Sequence, residues 1–179
     1  MNTTEADRYN RTLMAMHWLM LLLLAAVYLC IELRELYPKG SDPRNALKAW
    51  HFMLGLCVWL LVIIRLVIRW RSVIPPVKPS PPVWQSMVSK LVHMMLYLFM
   101  LGMPIVGLLV VNYEGHAVSF FGLELPVLVA ENSHMAETLE DWHETAGEAA
   151  YWLIGLHAAA ALMHHYVFKD NTLKRMMPW

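Results

Sequence analysis

The chain has 179 residues and 14 basic against 14 acidic side chains, so its formal net charge is zero; 58% of its residues are hydrophobic and 16% are charged. Soluble domains average about 45–50% and about 25%, and a soluble bundle could not hide four helices that are apolar all round. An ordinary soluble domain is therefore excluded, and two isolated cysteines, Cys30 and Cys57, rule out a disulfide framework or a clustered-thiolate metal site.

Uncharged apolar runs occupy residues 13–31, 49–64, 91–111 and 149–168, the second continuing past Arg65 to Ile68. Each approaches the roughly 20 apolar residues that a helix needs to cross a bilayer. The predicted spans are approximately 13–33, 49–70, 87–111 and 147–168, in a single membrane domain covering 1–179. The first run is too long for a signal-peptide core, lacks a small-x-small cleavage site and runs straight into Glu32-Leu33-Arg34-Glu35, so an uncleaved span is expected. Between the second and third spans, five prolines within 75–82 impose an extended, polyproline-like strap. The third connection, 112–148, opens on the turn Asn112-Tyr113-Glu114-Gly115. Its apolar stretch 118–130 is too short to span and is expected at the membrane surface. From Met135 onward, Glu137, Glu140, Asp141 and Glu144 predict a solvated helical lead into the fourth span.

Basic residues set the orientation. The second connection has Arg69, Arg71 and Lys78 with Arg65 and Lys90 at its edges, and no acid. The third connection has eight acids and no Lys or Arg. With Arg8 and Arg11 at the start and Lys169, Lys174 and Arg175 in the tail, both termini are expected in the cytoplasm. Arg34, Lys39, Arg44 and Lys48 around the first connection run against this pattern, partly offset by Glu32, Glu35 and Asp42.

Nine histidines in such a chain call for a function, because an imidazole without a partner in hydrocarbon costs a few kcal/mol. His143 and His157 carry the sharpest spacing. Fourteen residues at about 100° each return to nearly the same helix face and rise roughly 21 Å. One face of the fourth helix thus offers two imidazoles, one per leaflet, while His17 and His51 lie at matching depths on the first two helices. A six-coordinate haem iron takes one imidazole from each side, so His17 is expected to pair with His157 around an inner haem and His51 with His143 around an outer one. The fold class is then all-α, an integral membrane four-helix bundle binding two haems b through His17, His51, His143 and His157 as iron ligands.

Gly55, Gly147, Ala160 and Ala161 share faces with these histidines, either to admit a porphyrin edge or simply to let helices approach. His93 stands as the alternative inner ligand, or as a partner for a propionate, a quinone or water. His164 and His165 lie near the cytoplasmic interface, and His164 is only about 10 Å from His157 along the helix. Arg65 and Arg69, four apart, suit either haem propionates or snorkelling to the interface. His143-Glu144 starts like a zinc-protease pattern but has Gly147 where the second ligand belongs. Nothing in the basic strap points to nucleic acid.

At these residues the chain resembles the bacterial cytochrome b561 family: Met16-His17-Trp18, Glu32-Leu33-Arg34, Trp50-His51, Trp142-His143-Glu144-Thr145, Gly155-Leu156-His157-Ala158-Ala159, and the tail from His164-His165-Tyr166 to Lys169-Asp170-Asn171-Thr172-Leu173. The resemblance runs nearly end to end. It implies a four-helix, two-haem protein of the bacterial inner membrane that exchanges electrons with the quinone pool. One type in the family takes electrons from superoxide at the periplasmic face and reduces ubiquinone, with protons taken from the cytoplasm. Related cytochrome b subunits serve hydrogenases and formate dehydrogenases, which makes a membrane anchor for a partner dehydrogenase the alternative function. A superoxide site should be cationic, and on the outer side Lys39, Arg44 and Lys48 are the expected attractants.

Overall fold

The computed structural model describes residues 7–177. Four long helices make up nearly all of it: α1 (Arg11–Arg34), α2 (Asp42–Trp70), α3 (Val83–Tyr113) and α4 (Ser133–Tyr166). Short strands β1 (Val118–Phe120) and β2 (Leu123–Leu125) lie between α3 and α4, and a 3-10 turn, Lys174–Met176, closes the tail. Helices α1, α2 and α3 are each long and apolar enough to cross a membrane. Helix α4 is less apolar because its histidines, Gly155, Tyr151 and Trp152 interrupt the aliphatic run. All four extend beyond the apolar runs. The largest extension is on α4, whose 34 residues reach about 51 Å and carry the acidic lead as one continuous helix.

Local chemistry sets the ends. The Asn10 side chain accepts from the Thr12 N–H at 2.9 Å and Asn132 accepts from Met135 N–H at 3.1 Å, satisfying first-turn donors of α1 and α4. Pro43 in the first turn of α2 costs nothing, since that N–H would be unpaired anyway. Pro104 lies inside α3 and removes one intrahelical bond there.

Helix α1 packs along α2 and α3 along α4, with α2 against α3; α4 has few close backbone approaches to α1 or α2. One apolar cluster, Met20, Val58, Val62 and Met100, lies where α1, α2 and α3 meet, while α4 buries Ala136, Leu139 and Ala150 elsewhere. Large side chains such as Leu22, Leu98 and Trp152 point outward and exposed, as a hydrocarbon environment allows. Cys30 and Cys57 are free and half-buried.

The stretch 118–130 is a small antiparallel hairpin followed by coil, with Val118 opposite Leu125. Phe121 and Gly122 both have positive φ at its turn, which is the backbone that a two-residue hairpin of the right twist needs. Val118 is buried, and β1 packs on α2 and α3. Asn112 is fully buried and organises the segment: its Nδ2 donates to the His116 carbonyl at 3.2 Å, and its Oδ1 accepts from Leu128 N–H at 2.9 Å. The strap 73–82 is extended, as its prolines dictate, but it is more than a spacer. The tail clasps it: Asn171 Oδ1 accepts from Lys78 N–H at 2.8 Å, and Asn171 N–H donates to the Lys78 carbonyl at 3.1 Å.

Candidate functional site

The bundle has two ends. The outer end carries the α1–α2 and α3–α4 connections; the inner end carries the strap, the N-terminal arm and the tail. At the outer end the rings of His51 (α2) and His143 (α4) stand edge to face with centres 6.1 Å apart. His51 Nδ1–H donates to the Val27 carbonyl at 3.1 Å, which leaves Nε2 as the ring's available lone pair. The two rings line a cavity of about 400 Å³, together with Gly55, Gly107, Tyr28 and Lys48. A Cβ on Gly107 would meet His143 Cε1 at 3.1 Å, so any larger residue there would press on the ring, which would have to give by a few tenths of an ångström. A Cβ on Gly55 would meet nothing within 4 Å, and one on Gly147 only the Met103 Cε at 4.0 Å.

At the inner end His17 (α1) and His157 (α4) also stand 6.1 Å apart, edge to face. His93 of α3 comes closer still to His157, at 5.2 Å, and its Nδ1–H donates to the Ser89 carbonyl at 2.6 Å. The structure therefore brings together all four histidines expected from the sequence, in the expected pairs, and places His93 as a third imidazole at the inner pair. Depth on neighbouring helices was the only signal for His93. His116 and His134 lie apart from both pairs, in the outer connection and the first turn of α4.

Both pairs suit one group held between the two halves of the bundle. Imidazoles held on opposite sides of one iron through bonds of about 2 Å each would keep their ring centres roughly 6 Å apart. Each pair crosses from α1 or α2 to α4, across the separation where backbones stay apart. At the outer pair, the cavity, the close approach of Gly107 and the free Nε2 of His51 all fit a bulky planar metal-bearing ring.

Beside the outer pair are two tyrosines, Tyr28 and Tyr151, that the sequence did not single out. Tyr151 O–H donates to Glu32 Oε1 at 2.7 Å, Tyr28 O–H donates to the Gly147 carbonyl at 2.7 Å, and the two phenol rings lie 4.3 Å apart. The mouth above them mixes charges, with Lys39, Lys48, Glu140 and Glu144 around it. Arg44 also borders that opening, but its guanidinium is tied into the turn. It donates to the Arg34 and Tyr37 carbonyls and pairs with Glu35 at 3.0 Å. Slight desolvation pulls the Glu35 carboxyl up, yet the hydrogen bonds and charges of Arg44 and Arg34 outweigh it and hold it below the usual carboxylate range. Among the described residues neither Lys39 nor Lys48 has an ion pair.

The inner end is a knot of arm, strap and tail. Arg65 of α2 is buried, donates to the Leu13 carbonyl and reaches Tyr97. Arg175 of the tail is buried and donates to the Pro75 carbonyl. The Tyr9 ring lies between Arg69 and Arg175, at 5.9 and 5.6 Å. Trp18 Nε1–H donates to the Met176 carbonyl at 2.9 Å, tying the tail to the turn of α1 that carries His17. His164 Nδ1 and Asp170 Oδ2 meet at 2.5 Å.

The fold and this arrangement of imidazoles define a membrane helical bundle of the haem-carrying kind. Residues 8–179 match the family described as Prokaryotic cytochrome b561, and the chain belongs to that family. It is 40% identical over 172 residues to Cytochrome b561 homolog 1 of Escherichia coli (strain K12), covering 96% of this chain and 98% of that one. It is 37% identical over 171 residues to the Probable superoxide oxidase CybB of Yersinia pestis, covering 96% of each. Cytochrome b561 homolog 2 of Escherichia coli (strain K12) is 26% identical over 181 residues, covering 98% and 94%. Membership of the family implies haem b and electron transport in a membrane.

Proposed function

We propose that this chain is a two-haem oxidoreductase of the bacterial inner membrane, passing electrons from superoxide on the periplasmic side to ubiquinone. The observation that supports it most is the pair of facing imidazole sets, one at each end of the bundle, each with ring centres 6.1 Å apart. In this reading α4 is the fourth span, both termini are cytoplasmic, and the whole of 1–179 is one membrane domain. His51 and His143 hold the outer haem, and His17 and His157 the inner one. When bound, each haem supplies one-electron redox chemistry; the chain supplies ligands, spacing and charge. The overall balance is two superoxide ions and one quinone, with two protons from the cytoplasm, giving two molecules of dioxygen and one quinol.

His51 keeps its imidazole oriented through the Val27 carbonyl. Gly107 leaves room for the His143 ring. Lys48 lines both the mouth and the cavity, a place from which its cation can draw a small anion inward. The name of the Yersinia pestis relative supports superoxide as donor. A second reading draws on Glu140 and Glu144 at the same mouth. These acids suit a cationic redox partner, and the chain would then be a cytochrome b anchor between a dehydrogenase or hydrogenase and the quinone pool.

The test is a pyridine haemochrome assay on the purified protein, followed by reduction with superoxide alone. About two b haems per chain, both reduced by superoxide and reoxidised by ubiquinone, are expected. One haem per chain sinks the paired arrangement. Two haems that only a co-purifying dehydrogenase reduces would favour the anchor.

A further inference from the structure

Three guanidinium groups gather at the inner end, Arg65 and Arg69 one turn apart on α2 and Arg175 on the tail. Arg65 and Arg175 are 7% and 8% exposed, and Arg69 lies across the Tyr9 ring from Arg175. Among the described residues none of the three forms an ion pair. The acid within electrostatic range of Arg175 is Asp170, and its carboxylate is engaged by His164 at 2.5 Å and by Thr172 N–H at 2.8 Å. Backbone carbonyls take one N–H each from Arg65 and Arg175, but Arg175 Nε is buried with no hydrogen-bond partner. Burying cations without matching counter-charge costs several kcal/mol; among the described residues one carboxylate, already engaged, stands near three guanidinium groups, so the cluster calls for a further anion.

The place of the cluster says which anion. Arg65 donates to the Leu13 carbonyl, one helical turn before His17, and Trp18, next to His17, donates to the Met176 carbonyl, next to Arg175. The cluster therefore adjoins the inner imidazole set at the cytoplasmic end. Arg65 and Arg175 are too deeply buried to serve a lipid phosphate at the surface. A guanidinium fork matches a carboxylate in two-point geometry, and a haem carries two carboxylates on one edge.

We propose that Arg175, with Arg65 and Arg69, forms the carboxylate site for the propionates of the inner haem, which makes the C-terminal tail part of that haem's binding site. This rests on the two-haem reading above and extends it to a residue outside the four spans. The tail is held for this purpose by its clasp on the strap and by Trp18. Positive charge beside a haem favours the form with one more electron, so the cluster raises the inner potential relative to the outer. Electrons arriving at the outer pair are thereby drawn inward.

Potentiometric titration of the purified holoprotein, following the two haem bands separately, tests this. Arg175→Met should shift the inner haem's reduction equilibrium about tenfold toward the oxidised form, a fall of about 59 mV for one electron, with the outer haem unmoved. Arg175→Lys, which keeps the charge, should recover most of the shift. Loss of the inner haem from Arg175→Met but not from Arg175→Lys would also support the site. Unchanged inner potential in Arg175→Met overturns it, as do equal shifts of both haems or loss of the inner haem from both variants, since these report a merely structural tail. The haem count is measured on the unaltered protein first. If that count shows no inner haem, the two-haem reading fails and takes this site with it; if both haems are present and the potential does not move, only this site fails.

Discussion

Gly107 on α3 and His143 on α4 approach so closely that a methyl group on the glycine would lie 3.1 Å from the imidazole Cε1. The contact positions a ring of the outer pair from a helix that contributes no histidine to that pair. Gly107→Val should push the His143 ring out of line. Overpacking of this kind typically costs about 1–3 kcal/mol, and the expected result is loss or weakening of the outer haem band with the inner band retained. Absorption spectra of the purified variant check it, and intact outer absorbance at full haem content would show that the ring has room to yield.

His17 and His93 compete for His157, and distance separates them. The His93 ring is 5.2 Å from His157, closer than the roughly 6 Å that two imidazoles on opposite sides of one iron would keep, whereas His17 is at 6.1 Å. His17→Ala should therefore abolish the inner haem, and His93→Ala should leave two low-spin haems while changing the inner potential. The reverse pattern in haem stoichiometry would make His93 the ligand.

Superoxide is an anion and the outer connections carry acids, so the sign of the field at the mouth matters. Arg34 and Lys48 both line the mouth and the cavity, but Arg34 pairs with Glu35 and Arg44 is committed to the Arg34 and Tyr37 carbonyls and to Glu35, which leaves Lys48, among the described residues, as the cation there without an ion pair. Lys48→Glu should slow reduction by superoxide with both haem bands intact, and added salt should slow the native protein. Arg44→Ala should instead loosen the turn, at about 1.5–3 kcal/mol for a lost charged hydrogen bond. Stopped-flow mixing at two salt concentrations decides the first point; a rate that rises with salt would mean the acids dominate.

Acid should release the tail. Burial pulls the Asp170 carboxyl up, but the His164 hydrogen bond and the Thr172 contacts outweigh it, so its folded pKa lies below the ordinary aspartate value. A depressed folded pKa contributes stability that is fully present above the unfolded value of about 3.9 and is lost as pH falls through the folded one. Amide hydrogen exchange across 170–177 should show protection near neutral pH and loss of it below the ordinary aspartate range. Asp170→Asn should show weakened protection already at neutral pH. Equal protection in both proteins at both pH values would mean that the Asn171 and Trp18 contacts hold the tail without this pair.

Much of the molecule was legible because its signals are local. Apolar runs placed the helices, since a bilayer-length stretch without charge has few other uses, and the fourteen-residue interval between His143 and His157 put both on one face of α4. The helix ends were less legible: α4 begins at Ser133 with the Asn132 cap, and its acidic first turns carry no apolar signal. The stretch 118–130 shows apolarity but not the hairpin, which depends on Asn112 reaching back to Leu128.

The sequence by itself determined that four long helices exist, that the α2–α3 connection is an extended proline strap, and where along its helix each paired histidine lies. Those properties follow from residue type and helical period, which act over a few turns. Only the tertiary structure decided which rings face one another, that His93 joins the inner pair, that Arg44 is tied into a turn, and that Arg175 returns to the bundle. Arg175 and its acceptor Pro75 are 100 residues apart. A contact of that separation depends on how helices rotate and pack and on where the tail folds back, and nothing in the residues near either partner encodes it.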